Sequence, residues 1–359
     1  MSAGPSWGGQ ATQIGRDLPG AYFAEAAQAF AHALSVTGEE NEFFFAIGGV
    51  RFRLRIVGND LTRKITRTLS HLRIETCSQP DFTICAWDDK AAGTPMPRPQ
   101  RWMLGRDGKH CLQPLTDSRF HTFFVEPVRI LSCMDHETRT GYSCYFDASR
   151  LSMYEVSGPM RPIFNAILNR HGMQLVHASS VGSAQGALLF AGRPFSGKST
   201  LAVRCLLDGM SYQSDDLCVL SSDEKPRTLS LYNIAKLRED RVPYFPSLAP
   251  VLSSFVEDAE KKSYFYVHEQ FPERLLKEAP LRAIVLPQII DEELSRLEPA
   301  TARDAMEGLL KWTVLEIPSA NALGDQIMLR AIKRVPIWRL HLGRDEAHSL
   351  KLIRELLAS

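Results

Sequence analysis

Between residues 186 and 209 the chain runs from a short apolar stretch, Gly186-Ala-Leu-Leu-Phe-Ala191, through Gly192-Arg-Pro-Phe-Ser-Gly-Lys-Ser199 into a second apolar stretch, Thr200–Asp208, and stops at Gly209. No other segment restricts the fold so strongly. The first stretch has the length and glycine boundaries of a buried parallel strand. The last reads as a helix ended by Gly209, a residue that accepts the left-handed turn past a helix C-terminus. The eight residues between them spell G-x-x-x-x-G-K-S. In the order strand, loop, helix, that pattern turns backbone N–H groups inward onto phosphate oxygens. Lys198 would reach the β- and γ-phosphates, and the Ser199 hydroxyl would ligate Mg²⁺.

The loop departs from a glycine-rich version at two places. Pro194 has no N–H, so one phosphate donor is missing, and Phe195 is bulky where small residues are common. Gly197, Lys198 and Ser199 still supply the amides nearest the helix N-terminus.

The remainder of the chain sets bounds. Its 359 residues are enough for two domains, each with its own core. A net charge of +1 gives no nucleic-acid footprint. Arg51, Arg53 and Arg55 alternate with apolar residues, which is the pattern of one solvated strand face. The seven cysteines, an odd number without a C-x-x-C pair, point to thiols rather than a disulfide framework or a zinc site. No run of 18 apolar residues and no secretory leader is present, so a cytoplasmic protein without membrane association is expected.

Three regions follow from the patterning: a loose tail over 1–20, an α+β unit over 21–157, and an α/β unit with the phosphate loop over 160–359. In the first unit a helix is expected at Ala21–Leu34 and a hairpin at Glu42–Val57 turning on Gly48-Gly49. A second helix is expected from Asp60, as N-cap, to Leu72, with strands at Phe82–Trp87, Thr122–Val128 and Tyr142–Phe146. In the second unit Ile163–Arg170 reads as a helix and Gln174–Val181 as one strand. Further strands are expected at Leu217–Ser221, Arg282–Leu286 and Pro336–Leu342, and a helix at Asp345–Leu357.

A phosphate loop needs a carboxylate to hold the metal, and a kinase needs a base for the accepting hydroxyl. Asp215-Asp216 follows Lys198 by 17 and 18 residues, at the mouth of an apolar run, and could divide those two tasks. His177 ends the apolar pair Leu175-Val176, 21 residues before Lys198. On its own it reads as a satisfied core histidine.

His177, then Gly192–Ser199, then Asp215-Asp216 resembles the core of the HPr kinase/phosphorylase family, whose sequence runs histidine, strand, phosphate loop, helix, glycine, paired aspartates. The firm resemblance covers about residues 175–220. It implies a fold similar to that of phosphoenolpyruvate carboxykinase and transfer of the terminal phosphate of ATP, with Mg²⁺, to a serine hydroxyl. It implies Lys198 as phosphate clamp, Ser199 and Asp215 as metal ligands, Asp216 as base, and His177 beside the transferring phosphate, with the two aspartates interchangeable. Nucleotide contact then falls to Gly192, Arg193, Pro194, Phe195, Ser196, Gly197, Lys198, Ser199, Thr200 and Arg238. The family's acidic, glycine-rich signature downstream is replaced by Tyr232-Asn-Ile-Ala-Lys-Leu-Arg-Glu-Asp240. This stretch offers Lys236 and Arg238 as clamps and Glu239 or Asp240 as metal support. Lys261, Lys262 and Arg274 are weaker basic candidates.

The expectation is therefore a serine kinase of a peptide or protein, rather than of HPr itself, with the first unit recognising the substrate. A small-metabolite kinase and a nucleotide-sensing module without transfer are the alternatives. The family includes ring-like oligomers, which leaves a homo-oligomer open.

Overall fold

The computed structural model describes residues 17–104, 111–126, 128–254, 261–317, 319 and 321–359; most of the expected tail lies outside this set. The first part of the chain contains α1 (Leu18–Thr37), β1 (Asn41–Ile47), β2 (Val50–Val57), α2 (Asn59–Leu69), β3 (Phe82–Asp88) and the single turn α3 (Asp89–Ala92). It continues with β4 (Phe120–Val125), β5 (Ile130–Asp135) and β6 (Thr140–Tyr145). The six strands form one sheet in the order β1-β2-β3-β6-β5-β4.

The β1–β2 hairpin follows from its sequence. Gly48 and Gly49 both take positive φ, 54° and 88°, as a tight turn between twisted strands requires. Phe52, Leu54 and Ile56 alternate inward and are fully buried. The intervening Arg51, Arg53 and Arg55 each pair with a carboxylate, of Asp81, Glu42 and Glu40 respectively. Asp60 does not cap α2. Gly58 occupies that position, and Asp60 lies in the first turn, paired with Arg63 at 3.2 Å and Lys64 at 3.1 Å. There an acid favours the helix dipole instead of ending the helix. β5 had no expectation from sequence; its residues are buried without interruption, so no alternation marks it.

A connector of α4 (Met153–Ser157) and α5 (Arg161–Arg170) leads to β7 (Met173–Val176), β8 (Ser179–Ser183), β9 (Gly186–Phe190), α6 (Lys198–Leu207), β10 (Ser211–Ser214) and β11 (Cys218–Ser221). Then come β12 (Arg227–Leu229), β13 (Ile234–Arg238), β14 (Ser253–Ser254), β15 (Lys262–Tyr266), α7 (Val267–Gln270) and the long β16 (Glu278–Ile289). The chain closes with β17 (Arg296–Pro299), α8 (Ala302–Glu316), α9 (Ala322–Ile332), β18 (Ile337–Leu342) and α10 (Glu346–Ala358).

Nine of these strands form a mixed sheet. Its main path is β10-β8-β9-β16-β12-β11-β7, with β18 beside β16 and β17 beside β18. β9 runs parallel to β16, as its apolar composition led us to expect, but antiparallel to β8. One face of the sheet carries α6 and α10, and the other carries α8 and α9. β13, β14 and β15 make a separate small sheet.

The single strand expected over Gln174–Val181 is two strands. β7 pairs with β11, whereas β8 pairs with β9 and β10, and the break falls at His177-Ala178. There the His177 N–H donates to Thr313 Oγ1 at 3.1 Å, outside the ladder. A side chain thus satisfies the backbone where the sheet does not.

Core packing joins the two sheets. Phe45, Phe52 and Ile84 of the first share one buried cluster with Leu175, Val219, Leu229 and Tyr232 around the second. Among the described residues no helix is long and apolar enough to cross a membrane.

Candidate functional site

The loop Gly192–Ser199 leaves the end of β9 and enters α6, with Gly197 at the helix N-cap. Its backbone has positive φ at Gly192 (143°), Phe195 (64°) and Gly197 (100°). Phe195 is the costly member, because a side chain at positive φ crowds its own carbonyl. The residue is 76% exposed, and the Arg238 guanidinium lies 4.9 Å from its ring centroid. The loop closes around Lys198, whose Nζ donates to the carbonyls of Gly192 at 2.8 Å and Arg193 at 3.0 Å. Burial lowers the pKa of this ammonium to about 8, against the opposing pull of Asp216 and Asp215. Ser196 Oγ is buried and has no hydrogen-bond partner.

Asp215 and Asp216 occupy the tight turn between β10 and β11. Asp216 adopts φ 69°, a conformation that aspartate tolerates better than most residues. Its N–H folds back onto Asp215 Oδ1 at 3.0 Å. Asp215 is 2% exposed and accepts the Ser179 hydroxyl at 2.7 Å and the Lys236 N–H at 3.2 Å. Burial raises its pKa, and the neighbouring Asp216 charge adds to this; hydrogen bonds from Ser179 and Ser199 act against both. Ser199 and Asp215 therefore adjoin, and their oxygens are the hard donors that Mg²⁺ takes. Among the described residues no group of three or more His, Cys, Asp and Glu is placed to hold a metal. A metal here would depend on the hydroxyl of Ser199 and on phosphate oxygens.

Asp216 differs from its neighbour in its surroundings. Burial would raise its pKa, but Lys236, His177 and Lys262 outweigh that and hold the carboxyl far below the usual range. Lys236 Nζ lies 2.5 Å from Oδ2, and His177 Nε2 lies 3.8 Å from Oδ1. Burial pushes the His177 imidazole down to about 4 in spite of Asp216, so it is neutral at pH 7. Its Nδ1 is buried without a partner.

The structure thus brings His177, Lys198, Ser199, Asp215 and Asp216 together, from three places between β7 and β11. Lys236 joins them, whereas Arg238 stands at the exposed edge of the same strand. Asp240 is committed to Arg238 at 2.8 Å and Arg241 at 3.4 Å. Arg274 donates to the Gly209 carbonyl beyond the end of α6, a capping role.

Three contributors escaped the sequence reading. Ser179 lies two residues after His177, a spacing that could have signalled it. Thr313 and Glu316 come from α8, more than a hundred residues downstream, and carry no local signal. The Glu316 carboxyl has a pKa raised by burial and by the Asp216 charge. α8 also packs on the loop: a side-chain carbon added at Gly308 would meet Gly192 Cα at 3.4 Å.

No family model matches the sequence, and no curated protein matches it. Among solved structures the chain is similar to one described as the Hpr(Ser) kinase/phosphatase from Coxiella burnetii. The match has 12% identity over 52% of this chain and 93% of that chain, with a TM-score of 0.27, a score too low to carry an argument about function.

Proposed function

We propose that the chain is an ATP- and Mg²⁺-dependent kinase that transfers the γ-phosphate to the hydroxyl of a serine in a peptide or protein. The observation that carries this reading is the convergence of a lysine-closed phosphate loop and two adjacent aspartates in unlike environments. Asp215 lies beside the Ser199 hydroxyl, and Asp216 faces cations.

In this reading the amides of Gly197, Lys198 and Ser199, at the positive end of α6, receive the phosphates. Lys198 exchanges its two loop carbonyls for phosphate oxygens, and Ser196 Oγ gains the partner it lacks. Asp215 and Ser199 would hold Mg²⁺, which when bound neutralises charge on the phosphates. Asp216 accepts the acceptor's proton as the serine oxygen forms its bond to phosphorus. The bond from phosphorus to the β-phosphate oxygen breaks, and its electron pair leaves with ADP. A weak base suffices, because a loose transition state asks for alignment and charge neutralisation more than strong deprotonation. Neutral His177 stands beside Asp216 and orients without adding charge. The first unit, over 21–157, is the part available to dock the acceptor chain.

The test is γ-labelled ATP with Mg²⁺ and an extract of the source cells, with Lys198→Ala protein as the blank. Label in a peptide or protein, absent from the blank, is the expected result. Label only in small molecules would replace the acceptor class. ATP binding with no transfer would favour a nucleotide sensor.

A further inference from the structure

Lys236 is 7% exposed, and its ammonium is spent on one oxygen of the residue assigned as base. The same residue's N–H holds Asp215 Oδ2 at 3.2 Å, so Lys236 touches both aspartates. Isolated buried ion pairs contribute little to stability after desolvation, and one beside a further lysine and a histidine is a poor structural device. Asp216 is also the first of the charges that raise the Lys198 pKa, so this carboxylate acts on both lysines. Lys262 adds a third cation to the field at Asp216. With Lys236 on Oδ2, the base has one oxygen less for an acceptor hydroxyl.

We infer that Lys236 is a catalytic residue that rests on Asp216 without nucleotide and moves to the γ-phosphate when ATP is bound. It thereby frees the base at the moment the phosphoryl group is in place. This inference rests on the reading of the site as an ATP site and deepens it. The exchange is favourable because the terminal phosphate carries more charge than one carboxylate, and Lys198 holds that phosphate beside Asp216. The movement is a rotation of a flexible side chain with the backbone fixed. β13 is anchored on both sides: Lys236 pairs in register with Tyr264 of β15, and Asn233 Nδ2 donates to the carbonyls of Arg67 and Thr68 in α2. ADP offers Lys236 nothing at that position, so the residue distinguishes triphosphate from diphosphate. Water and a premature acceptor meet a base already engaged.

Calorimetry with the Mg²⁺ complexes of ADP and of the β,γ-imido analogue of ATP tests this without an acceptor. Lys236→Ala should weaken the triphosphate analogue about tenfold or more and leave ADP within about twofold, because only one charge-assisted contact to the γ-phosphate is removed. Lys236→Arg should retain most of the preference. An equal loss for both nucleotides, or no loss for either, overturns the inference and leaves Lys236 a structural partner of Asp216. If Lys236→Ala fails to fold because Asp216 loses its nearest cation, the double variant Lys236→Ala, Asp216→Asn removes both charges and the same ratio decides. Wild-type protein that binds neither nucleotide defeats the ATP-site reading itself. Wild-type protein that binds both equally sinks the role of Lys236 alone.

Discussion

The side-chain amide of Asn233 donates to the backbone carbonyl of Thr68 at 2.9 Å, and the Asn233 N–H reaches the same oxygen at 2.9 Å. This ties the strand that carries Lys236 to the second helix of the first unit. Arg67, one residue earlier, grips Glu269 at 2.6 Å and 2.9 Å and lies over the Tyr266 ring. His71 meets the Ser230 hydroxyl at 2.7 Å. The first unit is thus a wall against which part of the candidate site is built.

Asn233→Ala should therefore cost about 1 kcal/mol of stability, since it removes the side-chain amide that bridges the Arg67 and Thr68 carbonyls while the backbone N–H at position 233 still pairs with Thr68. Urea unfolding measures that loss. Phosphoryl transfer should fall further than ADP affinity, because the loop that leads into α6 is untouched while Lys236 loses its anchor. Equal falls would mean that the contact supports the fold alone.

Asp216→Asn keeps the left-handed backbone, which asparagine also tolerates, and removes the proton acceptor. Transfer should drop by about a hundredfold to ten-thousandfold, with an unchanged circular dichroism spectrum and nucleotide still bound. Normal transfer by a folded variant would show that the base lies elsewhere, Asp215 being the next candidate.

Lys198→Ala should weaken MgATP binding by about a hundredfold, the worth of charge-assisted contacts to two phosphates. The unfolding midpoint should hold or rise, because a buried cation with a pKa lowered to about 8 is removed. A lower midpoint with intact MgATP affinity would make Lys198 a structural closure of its own loop.

Stability should fall in mild acid. Burial lowers the His71 pKa to about 3, whereas an exposed histidine titrates near 6.5. Between those values the unfolded chain binds a proton that the folded chain refuses. The contribution is complete above the unfolded value and is lost as pH falls from there towards about 3, roughly 2 kcal/mol by about pH 5. His136, lowered to about 3, and His177, lowered to about 4, act in the same direction, in each case mainly through burial. Urea midpoints across this range should decline, and His71→Gln should make the decline shallower. An unchanged slope in that variant would assign the effect to the other two.

Local chemistry made much of the site legible from the order of residues. Gly192, Gly197, Lys198 and Ser199 announce a loop because few other residues accept its dihedral angles and supply its donors. Gly48-Gly49 announces a hairpin, and Gly209 the end of a helix, for the same reason of backbone freedom. Asp215-Asp216 could be placed near the loop from the length of the helix and turn between them. Tertiary structure decided what contiguous residues cannot encode. It split residues 174–181 at His177, because Thr313 offered the backbone a bond that the sheet did not. It chose Lys236 over Arg238 for the interior, because alternation puts both on one face of β13 but only the first lies under the turn at Asp216. It brought Glu316 and Thr313 to the site from a distant helix, and made Asp215 and Asp216 unlike through their separate neighbours. Dihedral preferences and spacing act between neighbours in the chain, and the sequence by itself determines them. Burial and the pairing of charges depend on which distant segments arrive, and only the folded chain settles those.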